Sequence, residues 1–274
     1  MSDYADIEVE IEDPVAVIRL NRPEKLNAVT YPMMAEIRRA IDEAAADPRV
    51  VGIVITGAGR GFCSGLDSQA LVDVTMAEAS GNTGSRRESA TDETPGMWTY
   101  FYKVPKPIVA AVNGVAAGGG LMLALMADVR IASTNASFVT VFLKRGLISE
   151  HGSSWILSRL VGPGRAFDLL WTSDRVSASQ ALEYGLVEHL VEPDELLATA
   201  KDYVRKIAAN SAPKAIAETK RLVYAAMGKG IDEAMREAEV AQWKAVASPD
   251  ATEGARALME RREPAFERLG AAKV

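Results

Sequence analysis

The sequence predicts an α/β fold with a helical C-terminal region. Three observations carry this: short β-branched runs closed by Gly or Asn, an amphipathic helix between two of them, and stretches rich in Ala, Glu, Lys and Arg from about Asp194 onward. The first run, Val15-Ala16-Val17-Ile18-Arg19-Leu20, enters the turn-like Asn21-Arg22-Pro23. A helix is predicted over Pro32 to Ala46, because Met33, Met34, Ile37 and Ile41 recur at helical spacing while Arg38, Arg39, Asp42 and Glu43 fill the rest of the wheel. The second run, Val50 to Thr56, enters Gly57-Ala58-Gly59-Arg60-Gly61, and the third, Ile108 to Val112, enters Asn113-Gly114. Such runs read as buried strands. Residues 68–100 break the pattern. Within them 78–96 are polar and aperiodic, and read as a mobile loop that is a candidate wall of a substrate site. Helices are predicted over Pro213 to Met227, Asp232 to Ala247 and Thr252 to Arg262.

With 274 residues, 48% of them hydrophobic, the chain can bury a real core. The expected division is a core over 1–195 and a helical region over 196–274. A net charge of -6 argues against a nucleic-acid binder. Cys63 is the only cysteine, so no intrachain disulfide can form. His151 and His189 are the only imidazoles, which puts a Cys/His zinc site out of reach. His189, in a strand-like run, reads as structural. The acidic start Met1-Ser2-Asp3-Tyr4-Ala5-Asp6 lacks an apolar targeting core, and the longest apolar stretch, around Leu121 to Ala127, is short of a membrane span. The expectation is a cytoplasmic protein without membrane insertion.

Two constellations carry chemistry. One is Gly61-Phe62-Cys63-Ser64-Gly65-Leu66-Asp67, just after a strand. The other is Asn113-Gly114-Val115-Ala116-Ala117-Gly118-Gly119-Gly120, running into a segment apolar on every side and hence a buried helix. Three glycines at its start let another group approach the backbone. The first amides of a helix lack internal partners and sit at the positive end of the dipole, which suits an oxygen that becomes negative. The alternative is close packing alone, with Asp67 capping a following helix. Gly57 to Gly61 does not have dinucleotide-site spacing. Neither Cys63 nor Ser64 sits in a nucleophile elbow, and Cys63 reads as a small packed residue.

Taken with Asn21-Arg22-Pro23-Glu24-Lys25-Leu26-Asn27-Ala28, Gly146 to Gly162, Gly185-Leu186-Val187, Glu253-Gly254 and Arg261-Arg262-Glu263-Pro264-Ala265-Phe266, the chain resembles the crotonase superfamily of enoyl-CoA hydratases and isomerases over nearly its whole length. The resemblance implies a β-β-α spiral core and a C-terminal helical oligomerisation region that builds a homo-oligomer, a trimer or a dimer of trimers. It implies an acyl-CoA thioester as ligand, with coenzyme A arriving as part of the substrate and no separate cofactor. It also implies two backbone amides, carried over by position to Leu66 and Gly119, that hold the thioester oxygen. A lone thioester α-proton is too weakly acidic for a carboxylate without them. Lys25, Leu26 and Ala28, with Ser64, Asp67 and Gly118, are implied to contact CoA or the acyl group. Lys25 would lie near the phosphates. Arg261 and Arg262 read as helix-surface cations, with a neighbouring subunit's CoA as the alternative.

Hydratases of this family use two glutamates to hold and activate water, and their positions fall at Met122 and Phe142, here apolar substrate-site residues. Glu150 falls where family isomerases carry their acid. The expectation is therefore double-bond isomerisation, with Glu150 as single acid/base and with burial beside Met122 and Phe142 raising its pKa. The alternatives are enoyl-CoA hydration, thioester hydrolysis by Glu150-directed water, and a non-catalytic acyl-CoA binder. His151, adjacent in sequence, is expected to point away.

Overall fold

A computed structural model describes residues 4–80 and 96–270. Its larger sheet has six strands, in the order β1 (Ile7–Glu12), β2 (Val15–Leu20), β3 (Gly52–Gly57), β5 (Ile108–Val112), β7 (Val129–Ser133) and β10 (His189–Val191). β1 is antiparallel to β2, and every other pairing is parallel. The smaller sheet orders β4 (Gly61–Cys63), β6 (Val115–Ala117), β8 (Ser137–Val139) and β9 (Val176–Ser177). Consecutive strands alternate between the sheets, so β3 feeds β4, β5 feeds β6 and β7 feeds β8. A helix follows each of these pairs. The chain therefore climbs as the β-β-α spiral that the resemblance implied.

The strands read from sequence are non-alternating because both faces of the larger sheet are covered. On one face Ile18, Ile53, Ile55 and Ala110 join the main core with Met33, Ile37 and Ile41 of α1 (Tyr31–Ala46). Thr30 caps that helix, its side chain accepting from Met33 N–H. On the other face Val15, Val17, Val54, Val109 and Ile131 receive Leu196, Ala200 and Val204 of α6 (Leu196–Asn210). Each Val, Leu, Ile or Met among them contributes about 1.5–3 kcal/mol by leaving water.

The irregular reading of 68–100 needs correction. Ser68–Ala79 form α2, a helix whose Val72 and Met76 are exposed, so no clean apolar stripe marks it. Most of the loop read over 78–96 lies outside the described residues. The remaining helices are α3 (Gly119–Met126), α4 (Ser153–Thr172, interrupted at Gly162), α5 (Ala178–Tyr184), α7 (Pro213–Ala226), α8 (Ile231–Val246) and α9 (Pro249–Glu260). Among the described residues, no helix is long and apolar enough to cross a membrane.

A polar latch fixes α7 to the larger sheet. Asp128 accepts from Lys220 Nζ at 2.7 Å, from Ile108 N–H at 2.7 Å and from the Tyr224 hydroxyl at 2.8 Å. Removing one partner of a buried pair strands the other charge. Lys220→Met is therefore expected to cost about 3–5 kcal/mol in unfolding free energy, read from the denaturant midpoint.

Candidate active site

The two glycine-bearing segments leave the smaller sheet side by side, because β4 pairs with β6 in parallel. They then come closer than side chains would allow. A Cβ built on Gly65, whose φ is 96°, would lie 2.7 Å from Ala117 O and 3.3 Å from Gly119 N. One built on Gly120 would lie 2.1 Å from Cys63 O. Neither Leu66 N–H nor Gly119 N–H is engaged by a main-chain acceptor among the described residues. Gly119 opens α3, a helix buried along its whole length, so its amide stands at the positive end of that dipole. Buried Trp98 fixes the same residue by donating its Nε1–H to Gly119 O at 2.9 Å.

The Leu66 turn is supported by the segment before α1. Val29 N–H donates to Gly65 O and Asp67 N–H to Val29 O, each at 2.8 Å. Asn27 is wholly buried, in the left-handed region with φ 55°. Its Nδ2 donates to Ala58 O at 2.9 Å and Gly61 O at 2.8 Å, and its Oδ1 accepts from Arg22 N–H at 2.9 Å. Arg22 in turn reaches Ala28 O and the Asp67 carboxylate. Asp67 also accepts from Gln69 N–H, capping α2. That amide first, then Arg22, holds its carboxyl below the usual range. Lys25 is exposed on a 3-10 turn, and Ser64 donates to Lys25 O from its hydroxyl and to Leu26 O from its amide. Lys25, Leu26, Ala28, Ser64 and Asp67 thus form one strip beside the Leu66 turn.

Leu66, Gly118, Gly119, Phe142 and Glu150 line one cavity of about 40 Å³, together with His151 and the apolar Leu71, Met97 and Val141. Three sequence expectations are corrected here. Met122 does not line the cavity, because α3 turns it into the core, where it is fully buried. Glu150 is not buried, its side chain keeping 33% of its exposure, so the premise of a strongly desolvated acid is not met. Finally, His151 does not point away. Its Nε2 lies 3.6 Å from Glu150 Oε2, and its backbone holds a left-handed φ of 53°.

The other flagged residues sit outside the cavity. Cys63 is packed inside, and burial pushes its thiol up to about 12. His189 is exposed beside the Tyr203 ring. Arg262 pairs with Glu253 and Glu260, and Arg261 ends α9. Asn27, Arg22, Met97 and Trp98 shape the site but were not singled out from sequence. For Asn27, the one signal was its place in the quoted stretch from Asn21 to Ala28.

The sequence matches the family model described as enoyl-CoA hydratase/isomerase over residues 10–269. The short-chain-enoyl-CoA hydratase of Clostridium acetobutylicum is 34% identical over 258 residues, spanning 93% of this chain and 95% of that protein. The 1,2-epoxyphenylacetyl-CoA isomerase of Escherichia coli is 33% identical over 256 residues, spanning 93% and 96%. The solved structure of an enoyl-CoA hydratase from Mycobacterium tuberculosis H37Rv matches with a TM-score of 0.84 at 32% identity, covering 95% of this chain and 98% of that one. A β-β-α spiral with this site and these matches is a crotonase-superfamily enzyme, and the chain belongs to its enoyl-CoA hydratase/isomerase family.

Asn27→Ala would leave Ala58 O and Gly61 O without that amide donor. It is expected to lower stability by about 1–3 kcal/mol, measured by chemical denaturation.

Proposed function

We propose that this chain is an enoyl-CoA isomerase that stabilises a thioester enolate and moves a proton with Glu150. The observation that carries the reading is the cavity itself, which, among the described residues, joins two amide-bearing turns to one carboxylate. In this reading the thioester oxygen lies between Leu66 N–H and Gly119 N–H. Glu150 takes the proton from the carbon next to the thioester carbonyl, the electron pair moves onto the oxygen, and the amides stabilise the charge. Glu150 then returns a proton two carbons along. One carboxylate suffices for both steps.

The two positions at which family hydratases hold water support isomerisation over hydration. Phe142 contributes an aromatic ring to the cavity, and Met122 is withdrawn into the core. Leu71, Met97 and Val141 suit an apolar acyl chain, and Lys25 suits the phosphates of CoA. No cofactor beyond the CoA of the substrate is needed. Exposed Met235, Trp243, Leu258 and Met259 on α8 and α9 support a homo-oligomer, a trimer or a dimer of trimers, built through the 196–274 region, because such apolar faces are ordinarily covered by partners. The proposed location is the cytoplasm.

The test is incubation with 3-enoyl, 2-enoyl and dienoyl CoA esters in heavy water, followed by mass spectrometry. Double-bond migration with deuterium uptake and no gain of water is expected. A hydrated product would transfer the assignment to hydration, and release of free CoA to thioester hydrolysis. Glu150→Gln is expected to slow proton exchange at the α-carbon by about 10²–10⁴-fold, with ester affinity little changed. Full exchange in that variant removes the carboxylate from the mechanism. Gly119→Pro deletes one amide donor at the first helical position, which tolerates proline, and is expected to lower kcat by about 10²–10³-fold.

A further inference from the structure

We propose that Arg145 selects acyl-CoA thioesters whose acyl group carries a carboxylate beyond the reacting carbons. The inference rests on the reading of this cavity as the acyl-CoA site and adds to it a class of acyl group. Among the described residues, Arg145 is the one permanent cation on the cavity wall, and no hydrogen bond, ion pair or ring contact engages its guanidinium. The sequence reading did not single it out.

The backbone places it there. Phe142 precedes the 3-10 turn Leu143–Arg145, and Arg145 N–H donates to Phe142 O at 3.0 Å. Residues three apart in such a turn lie one above the other, so Arg145 rises on the same face as Phe142, whose ring lines the cavity. Gly146 closes the turn at a left-handed φ of 71°, its N–H donating to Leu143 O at 3.1 Å. Leu147 N–H returns to Phe142 O at 3.1 Å and keeps the chain on the cavity wall. Lys144, the adjacent cation, leaves on another face and donates Nζ to Ser173 O at 2.9 Å, just past the end of α4. The two neighbours therefore divide the work. Lys144 ties the turn to α4, and Arg145 is left to the cavity.

A guanidinium is always ionised at neutral pH and presents a planar fork of donors. Glu150 shares its wall but is not its partner, since the Glu150 carboxylate lies against His151 instead. The surfaces beside Arg145 are apolar, supplied by Val141, Phe142 and Leu147. A methyl-ended chain laid along them would strip water from the guanidinium and return no acceptor, which is a cost. A carboxylate returns two oxygens that match the fork. It also meets repulsion from Glu150, which a cation on the same wall offsets. Lys25, suited to the phosphates of CoA, does not line the cavity, so the two anionic ends of such a ligand have separate cations.

The experiment is calorimetric binding of saturated CoA esters, which cannot isomerise, to the full chain. Esters of equal length are paired: glutaryl-CoA with pentanoyl-CoA, adipoyl-CoA with hexanoyl-CoA and pimeloyl-CoA with heptanoyl-CoA. In the wild type at least one carboxylated ester is expected to bind about tenfold tighter than its methyl-ended partner. Arg145→Gln is expected to abolish that preference and to leave the methyl-ended affinities within about twofold, because the side chain holds nothing else in place. Arg145→Glu is expected to reverse the preference, and it decides should Arg145→Gln not fold. The proposal is overturned if no pair shows a preference in the wild type, or if the preference survives either variant. It is also overturned if the variants weaken both members of each pair alike, which would assign the guanidinium to CoA, or if neither variant folds, which would assign it to the scaffold. Failure of the underlying readings looks different. Loss of the isomerase reading appears as no double-bond migration in heavy water with these affinities intact, whereas a chain that binds none of the six esters loses the acyl-CoA site and this proposal together.

Discussion

The contact between the Cys63–Leu66 turn and the Gly118–Gly120 segment sets the spacing of everything around it, because no side chain separates the two backbones. At Gly65 and Gly120 a methyl group would drive into a carbonyl oxygen of the opposite segment. The corner below repeats the arrangement, since a Cβ on Gly114 would lie 2.0 Å from Arg60 O. Successive corners of the spiral therefore stack at backbone thickness. Peptide groups packed this tightly need partners from within the protein. Asn113 supplies them to the middle corner, donating to Gly59 O and Gly61 O and accepting from Gly57 N–H. Ser133 continues the stitch by donating to Asn113 O, and Asn27 performs the same task beneath Gly61.

Two helix N-termini bring potential to the space this contact defines. α3 begins with Gly119 at the cavity wall, and α4 begins with Ser153, just after Glu150 and His151. Both present their positive ends, which favour negative charge on a nearby oxygen. Because α3 is buried throughout, water screens its first amide less than it would at a surface helix. The wall between the two ends is mostly apolar. Negative charge that gathers there meets fixed dipoles, which need no reorganisation as the charge develops.

How much of this was legible in the sequence depended on length and on period. β2, β3 and β5 were readable because strands covered on both faces become continuous β-branched runs. α1 was readable from its spacing, and α3 from being apolar all round. Strands of three residues, such as β4, β6 and β8, hold too little pattern to read alone, although they carry the two turns of the site. α2 was missed because Val72 and Met76 face outward and blur its apolar face. Within the site, the glycine-bearing motifs and the family resemblance pointed to Leu66 and Gly119 as oxyanion candidates, but orientation was hidden. Whether Met122 faces the cavity is a matter of helix rotation, and whether His151 meets Glu150 is a matter of backbone and side-chain conformation at the turn. Neither is a property of composition or spacing.

The placement of α3 also explains why the C-terminal helices bear on a site that they do not line. At its N-terminus α3 is held by Trp98 on Gly119 O and by the packing of Gly120 on Cys63. At its C-terminus the Tyr102 hydroxyl meets Met126 Sδ at 2.7 Å, and Tyr102 stacks on Tyr224 of α7 with ring centres 4.1 Å apart. Tyr224 and Lys220 then close on Asp128, two residues beyond the end of the helix. α3 is therefore clamped at both ends, and one clamp belongs to α7. In the proposed role of Gly119 N–H as an oxyanion donor, little error in its position is tolerated. A helix of eight residues, too short to be rigid on its own, gains that accuracy from its neighbours. Loosening α7 would accordingly reach the Gly119 amide through the Tyr102 and Met126 contacts, along packed atoms rather than through any contact with the ligand.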